Sequence, residues 1–484
     1  MSISGSMSSA LSGLTAAARS AELISSNIAN ALTDGYGRRE LQVGAQTLGG
    51  SGQGVRVIGV SREINHALVA DRRLADASAS NMNGRLDFLT QLATALGSPE
   101  DGASLTGRLG AFDSALVAAS AEPESSVRQS AVVEGARAVA SGIRSVSTKI
   151  QSARSDADAK IASEVEAING ALVSIAKLNT SIASTSGGGQ DVSALLDQRQ
   201  QLIDQVSSIV PLREIPRENG KVALYTTGGA ALLDGLPSKL GFSSVSLITP
   251  DMTLASGALS GLTINGRAID TGDKGAIAGG SLAANFAVRD DLAPAAQAEL
   301  DALARDLISR FQDPSVDPTL SATDAGLFTD GGLAFSAANE EGLAARIGLN
   351  TAVDASNGGA VWRTRDGIGA TTPGAAGDST LFAAMQSALN DARTTASGQF
   401  AGGASDTIML ASKLLSSVAG DRLMLETETG FTTARATALY SLELEGGVDT
   451  DRELQDLLMV EQAYAANAKV IQTADDMLQI LLGM

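Results

Sequence analysis

A chain of 484 residues with 54 acidic against 35 basic residues, a net charge of −19, offers no positive stripe for nucleic acid or for an anionic membrane surface. Its residues are 44% apolar but only 3% aromatic, so the interior must be built from Ala, Leu, Val and Ile, which suits long helices in close approach. The absence of cysteine and the single histidine, His66, exclude disulfides, thiol nucleophiles and Cys/His metal sites.

Residues 1–33 read as one amphipathic helix. Met7, Leu14, Ala21 and Ile28 recur every seventh residue, and Ile3, Ala10, Ala17 and Ile24 do so on the offset that makes an a/d heptad pattern. Turn chemistry at Thr33-Asp34-Gly35 ends it. The opening run MSISGSMSSALSGL has neither a basic n-region nor a compact apolar core, so it is not read as a Sec signal peptide. No stretch approaches the roughly 20 apolar residues of a membrane span.

Residues 38–64 change character: a Gly-rich run at 49–54 precedes a short alternating strand at 55–60. Helical texture returns near 65 and runs to about 210, broken at Gly97-Ser98-Pro99, Glu122-Pro123 and Ser186-Gly187-Gly188-Gly189. The piece from Ser125 to Ser184 has no proline and few glycines, which predicts one very long helix. Over 212–280 short Val/Leu/Ile/Thr runs alternate with Gly-Gly, Asp-Gly and Asn-Gly turns, predicting a small β-rich domain with hairpins at 219–235 and 261–270. Helix is expected at about 281–312 and again at about 379–427, with irregular Gly/Asp/Ala-rich sequence between. The last segment mirrors the first. Leu457, Tyr464, Ile471 and Leu478 recur every seventh residue, and so do Val460, Asn467, Ala474 and Leu481.

The expected fold is α+β, mainly α, with paired terminal coiled-coil helices, a long-helix bundle domain and an inserted small β-rich domain. The domains divide as 1–45 with 432–484 (terminal assembly coiled coil), 46–211 with 281–312 and 379–431 (long helices), 212–280 (β-rich insertion) and 313–378 (irregular and surface-exposed).

Chemistry finds little purchase. His66 has no motif around it for a nucleophile–histidine–acid triad. Gly50, Gly52 and Gly54 superficially suggest a phosphate loop, but a strand follows them where a helix is required. Carboxylates abound with nothing to single out a catalytic pair. Asp449-Thr450-Asp451 lacks the rest of a calcium loop and sits where a helix needs its N-terminal cap. The sequence therefore predicts no catalytic, cofactor or metal residue. The terminal heptads could be ordinary core helices, but their position at the chain ends and their small seam residues favour packing between molecules. The candidate assembly residues are Ile3, Met7, Leu14, Ala21, Ile24, Ile28, Leu457, Val460, Tyr464, Asn467, Ile471, Leu478 and Leu481.

Three segments carry a resemblance. Ser26-Asn27-Ile28-Ala29-Asn30 followed by Thr33-Asp34-Gly35-Tyr36-Gly37-Arg38 resembles the N-terminal signature of the flagellar rod, hook and hook-associated axial proteins, N-I-A-N-x-x-T-x-G-Y. Gly447-Val448-Asp449, Glu453-Leu454, Gln462-Ala463-Tyr464 and Ala466 to Ile471, with Asn467, are similar to that group's C-terminal signature. Asp191 to Val210 and the hairpin after it resemble the middle of a hook-associated member, since rod and hook subunits turn β-rich soon after the first signature. Gly37 departs from the Ser or Thr common there.

The resemblance implies a structural subunit, not an enzyme, that forms a ring of its own copies around the export channel. It implies the hook protein below and a second junction protein and the filament above. It also implies an export chaperone and passage through the flagellar type III apparatus to the extracellular flagellum. The nearer rival is a hook or rod subunit. The more distant rival, a secreted enzyme with helical tails, would gather a polar constellation in a pocket of the β-rich middle.

Overall fold

The computed structural model describes residues 3–48, 51–188 and 190–483. The chain opens with helix α1 (Ile3–Ala29), then forms a long antiparallel hairpin of β1 (Arg38–Leu48) and β2 (Ser51–Glu63). Four helices follow: α2 (His66–Leu96), α3 (Leu105–Ala121), α4 (Ser126–Gly187) and α5 (Ser193–Ile209). A four-stranded antiparallel sheet comes next, with β3 (Leu212–Pro216), β4 (Val222–Thr226), β5 (Ala231–Asp234) and β6 (Leu236–Pro237) in sequential order. A three-stranded one adds β7 (Leu240–Gly241), β8 (Thr263–Ile264) and β9 (Arg267–Ala268). Helix α6 (Ser281–Ala287) widens through one π turn at Val288–Leu292 into α7 (Ala293–Phe311). The stretch beyond pairs β10 (Phe328–Asp330) with β11 (Ile347–Leu349) across the single turn α8 (Leu343–Arg346), and then forms α9 (Arg363–Asp366). Helix α10 (Thr380–Asn390) and the small pair β12 (Arg393–Thr394) and β13 (Ala404–Ser405) precede the two last helices, α11 (Thr407–Glu445) and α12 (Thr450–Leu482). No helix of the described residues is long and apolar enough to cross a membrane.

The helices begin where side chains can satisfy free amides. Asn65, Ser104 and Ser125 cap α2, α3 and α4, and Asp406 and Asp449 cap α11 and α12. The Asp449 carboxylate accepts from the amides of Asp451 and Arg452, the capping role its position before the heptads suggested. At 62 residues α4 is the spine of the body, roughly 90 Å of helix. Its buried stripe keeps a three–four spacing through Val132, Ala136, Val139, Ile143, Val146 and Ile150, and again through Ile161, Val165, Ile168, Leu172, Ile175, Asn179 and Ile182. The first half lies in a helical core with residues of α2, α3, α7, α10 and α11; the second half lies in a core with α5, α6 and the two sheets. The β8–β9 turn places Asn265 (φ 51°) and Gly266 (φ 79°) in the left-handed conformations that an Asn-Gly hairpin requires.

Three expectations need correction. The segment 38–63 is a full hairpin with 11- and 13-residue strands, where the sequence pattern marked only residues 55–60. Gly50 and Gly49 of its glycine run, and Gly189 of the break after α4, lie outside the described residues. The helix expected over about 379–427 is two helices. Residues 391–406 leave the helical path, and fully buried Arg310 holds them by donating to the carbonyls of Ala388, Asp391 and Ser405. Finally, residues 313–378 are not a surface excursion. Leu320, Leu327, Phe328, Leu343, Ile347, Val353 and Ile368 are buried in the helical core, and Phe328 meets Phe112 at 5.8 Å and Phe311 at 5.2 Å between ring centroids. Their apolar residues are too sparse and irregularly spaced for a periodic pattern to reveal them.

Asp301 of α7 fastens part of that segment. Its buried carboxylate accepts from the amides of Gly342 (2.8 Å) and Ala344 (2.7 Å) and from Gln297 Nε2 (2.9 Å). Burial pushes its pKa up from 3.8 to about 6 against the downward pull of these donors. The folded value lies above the unfolded one, so the native state holds the extra proton between about pH 4 and 6. This group's contribution to stability should therefore fall by about 3 kcal/mol as pH rises through that window, and stay level above it. Urea unfolding of wild type and Asp301→Asn at pH 4 and pH 7 measures it; a pH dependence equal in both proteins would be the contrary result.

Candidate assembly interface

The first and last long helices, α1 and α12, pack against each other, and the β1–β2 hairpin lies over α1. Small residues set the distance. An added Cβ at Gly13 would stand 2.7 Å from the Asn467 amide, so glycine in α1 is what admits this polar side chain of α12 into the contact. Asn467 turns its Nδ2 back to the carbonyl of Ala463 at 2.9 Å. On the hairpin side the amide of Val55 donates to Ser12 Oγ at 3.1 Å.

At the foot of this pair the N-terminal signature residues converge on one buried side chain. Asn27, fully buried, donates through Nδ2 to the carbonyl of Arg39 (2.9 Å) and to Glu453 Oε2 (3.0 Å). Its Oδ1 accepts from the Tyr36 hydroxyl (2.9 Å) and from the amide of Arg39 (3.0 Å). All four hydrogen-bonding positions of the amide used here tie α1, the turn after it, β1 and α12 together. Glu453, 1% exposed, is completed by Arg38 Nε at 2.6 Å. Burial works against the Arg38 charge, but the hydrogen bond and charge of Glu453 hold its pKa above the ordinary value.

A second carboxylate joins the arm to the body. Asp197 of α5 accepts from the amide of Gly37 (3.1 Å), from Arg39 Nη2 (2.9 Å) and from Arg62 Nε (2.7 Å). Arg62 also reaches the carbonyl of Gly35 (3.0 Å) and Gln200 Oε1 (2.5 Å). This explains the unusual Gly37: a Cβ there would lie 2.5 Å from Arg62 Nε. Gln201 Nε2 donates to the carbonyl of Asp34, whose carboxylate accepts from the Tyr440 hydroxyl of α11. Beyond, Arg72 of α2 pairs with Asp204 and Glu443, and Arg73 pairs with Asp204 and Glu214, so α2, α5, α11 and β3 share one charged seam.

The predicted assembly residues divide by burial. Ile24 is buried; Ile3, Met7, Leu14, Ala21, Ile28, Leu457, Val460, Asn467, Ile471 and Leu478 are half-buried; Tyr464 and Leu481 are exposed. Of the signature residues, Asn30 Nδ2 donates to the carbonyl of Ser26, and Thr33 donates to Asn30 Oδ1. Ala29, Gln462 and Ala463 are exposed. Pairing with α1 leaves bare apolar side chains on α12: Leu454, Leu458, Met459, Val470, Met477 and Ile480 are each 45–65% exposed. The sequence reading did not assign Arg38, Arg39, Arg62, Asp197 or Glu453. Arg38 and Glu453 stood within the two signature segments, and Glu453 is a carboxylate seven residues before Val460 in the seam that continues through Asn467, Ala474 and Leu481.

With this geometry in view, three family models match in chain order. Residues 7–36 match the flagella basal body rod protein, 89–314 the helical domain of flagellar hook-associated protein FlgK, and 445–484 the C-terminal part of flagellar basal body rod FlgEFG proteins. Flagellar hook-associated protein 1 of Salmonella typhimurium is 28% identical over 233 residues, 47% of this chain and 42% of that protein. The chain thus spans under half of that relative's length in the match. Flagellar hook-associated protein 1 of Bacillus subtilis is 24% identical over 497 residues, 95% of this chain and 94% of its own. The flagellar hook junction protein FlgK of Burkholderia pseudomallei superposes with a TM-score of 0.45 at 20% identity, over 54% of this chain and 47% of that one. The rod-type matches flank a helical match of the FlgK kind, in the order in which α1, the α4 body and α12 are built, so the chain is similar from end to end to flagellar hook-associated proteins.

Proposed function

We propose that the chain is a structural subunit of the extracellular bacterial flagellum that joins hook to filament, assembling through α1 and α12 into a ring of its own copies around the export channel. The observation that carries this reading is the apolar face of α12, left bare after α1 has covered the other side. A helix with two apolar faces and one internal partner is a helix awaiting neighbours. The subunit contacts are heterologous and follow a helix, so one patch meets a different patch on the next copy. In this reading the hook protein lies below, and the second junction protein and filament lie above. An export chaperone escorts the chain to the flagellar type III apparatus.

Removal of the protein from the cell tests the role. Rod and hook should form, flagellin should be exported and lost to the medium as monomer, and negative-stain microscopy should show bare hooks on non-motile cells. Full-length filaments on the deletion strain would refute the junction role, and missing hooks would point to a hook or rod subunit. A point test addresses the helix itself. Ile480→Asp places a charge on the apolar face that α1 leaves bare and that assembly buries, at a cost of several kcal/mol. The variant should be secreted with an unchanged body yet be absent from purified flagella; wild-type incorporation would contradict the assembly role of α12.

A further inference from the structure

A cavity of about 650 Å³ opens between the first turns of α2, α5 and the β3–β4 turn. Its walls are apolar, with Ile64, Val69, Leu196 and Ile203 among them. Its charged groups are Arg62, Arg73, Arg199, Arg217 and Lys221 against one carboxylate, Glu214, in a chain that is strongly acidic overall. Three of these cations are neutralised in place: Arg62 by Asp197, Arg73 by Asp204 and Glu214, and Arg217 by Asp234. Arg199 is not. It is 7% exposed, and Nη1 donates to Asn179 Oδ1 (2.9 Å) and the carbonyl of Gly220 (2.6 Å), but no carboxylate of the described residues pairs with it. Burial lowers its pKa, and the charges of Arg62 and Arg73 add to that against the opposing pull of Glu214. Lys221 stands exposed at the mouth, also without an ion pair among the described residues. Such a cavity asks for an apolar group with a carboxylate beside it.

The chain presents that combination on α11. Phe431 is 71% exposed, whereas the other nine phenylalanines are buried or half-buried. Glu428, three residues earlier, is exposed on the same helical face. Ala436 and half-buried Leu439 pack against Ala75 and Ala79 of α2, so Phe431 points roughly 110° away from the middle of that contact. The Arg72–Glu443 pair fixes the cavity end of α2 beside Glu443, which places Phe431 roughly 18 Å further along the helix axis. Knob and cavity cannot meet within one chain.

We propose that Phe431 and Glu428 of one copy dock into the Arg199 cavity of the next, with Phe431 among the apolar walls and Glu428 against Arg199 and Lys221. A knob and a socket at different heights on one chain make a heterologous contact that repeats from copy to copy. The inference rests on the reading of the chain as a subunit of a ring, and it adds a body-to-body contact separate from the α1–α12 seam. A buried aromatic with a charged neighbour is the type of group that dominates an interface.

The absence of cysteine makes the test clean. Flagella carrying the full chain with Glu428→Cys and Lys221→Cys should, on mild oxidation, give disulfide-linked dimers and higher multimers of this chain on non-reducing gels. Either single substitution should give none, and adding Phe431→Ala should lower the multimer yield roughly tenfold. In parallel, p-benzoylphenylalanine in place of Phe431 should form adducts that map to the α5 and β4 peptides of another copy. A chain that incorporates normally but stays monomeric on oxidation, or photo-adducts on a different protein, would overturn the proposal. A chain missing from flagella altogether would sink the junction reading instead. The photo-adduct is then sought in concentrated purified full chain, where its absence rejects the contact too.

Discussion

Asn27→Leu should loosen the foot of the α1–α12 arm while the body stays folded. The substitution removes the four hydrogen bonds that Asn27 makes to Tyr36, Arg39 and Glu453 and leaves the buried Glu453 carboxylate with Arg38 alone. Stranding a buried carboxylate and a backbone amide in this way costs about 3–5 kcal/mol. That energy falls on local opening within the arm, where α1, β1 and α12 meet, since the two body cores contain no residue of α1 or α12. Limited proteolysis between residues 30 and 37 should therefore accelerate on the order of a hundredfold, with unfolding of the body unchanged. Ser25→Ala, at an exposed position on the same helix, is the control. Cleavage of Asn27→Leu at the wild-type rate would show that the hub does not hold the arm's elements together.

Phe328→Ala should destabilise the body by about 3–5 kcal/mol, with the midpoint of urea unfolding shifted down accordingly. Phe328 is fully buried and completes the aromatic cluster with Phe112 and Phe311. Its neighbours cannot close the space, because Phe112 is held by α3 and Phe311 by the end of α7. Alanine at Leu333, 72% exposed on the same segment, should change stability by no more than about 0.5 kcal/mol. Equal effects at the two positions would mean that residues 313–378 do not belong to the core. The same substitution should leave the arm's protease sensitivity unaltered, which separates it from Asn27→Leu.

The long elements were legible because helix periodicity is local. The stripe of α4, the heptads of α1 and α12, and the Asn-Gly and Gly-Gly turns of the middle each write their geometry into consecutive residues. The amino-acid sequence by itself thus determined a mainly helical chain with matching apolar seams at its two ends, and the signatures by which it resembles flagellar axial proteins. Its composition left no thiol, and no histidine beyond His66, from which to build a catalytic centre.

What only the tertiary structure decided is where side chains meet across long separations. Asn27 and Glu453 are 426 positions apart, and Gly37 and Asp197 are 160 apart; no local pattern links either pair. Gly37 is explicable only once Arg62 is seen to occupy the space its side chain would need. The burial of Phe328 and the break at residues 391–406 likewise depend on distant partners, the Phe112–Phe311 cluster and Arg310. Periodic burial is encoded residue by residue, whereas a polar hub or an irregular core segment is fixed by whichever groups the folded chain brings to it, because a buried polar atom is stable only beside its partner.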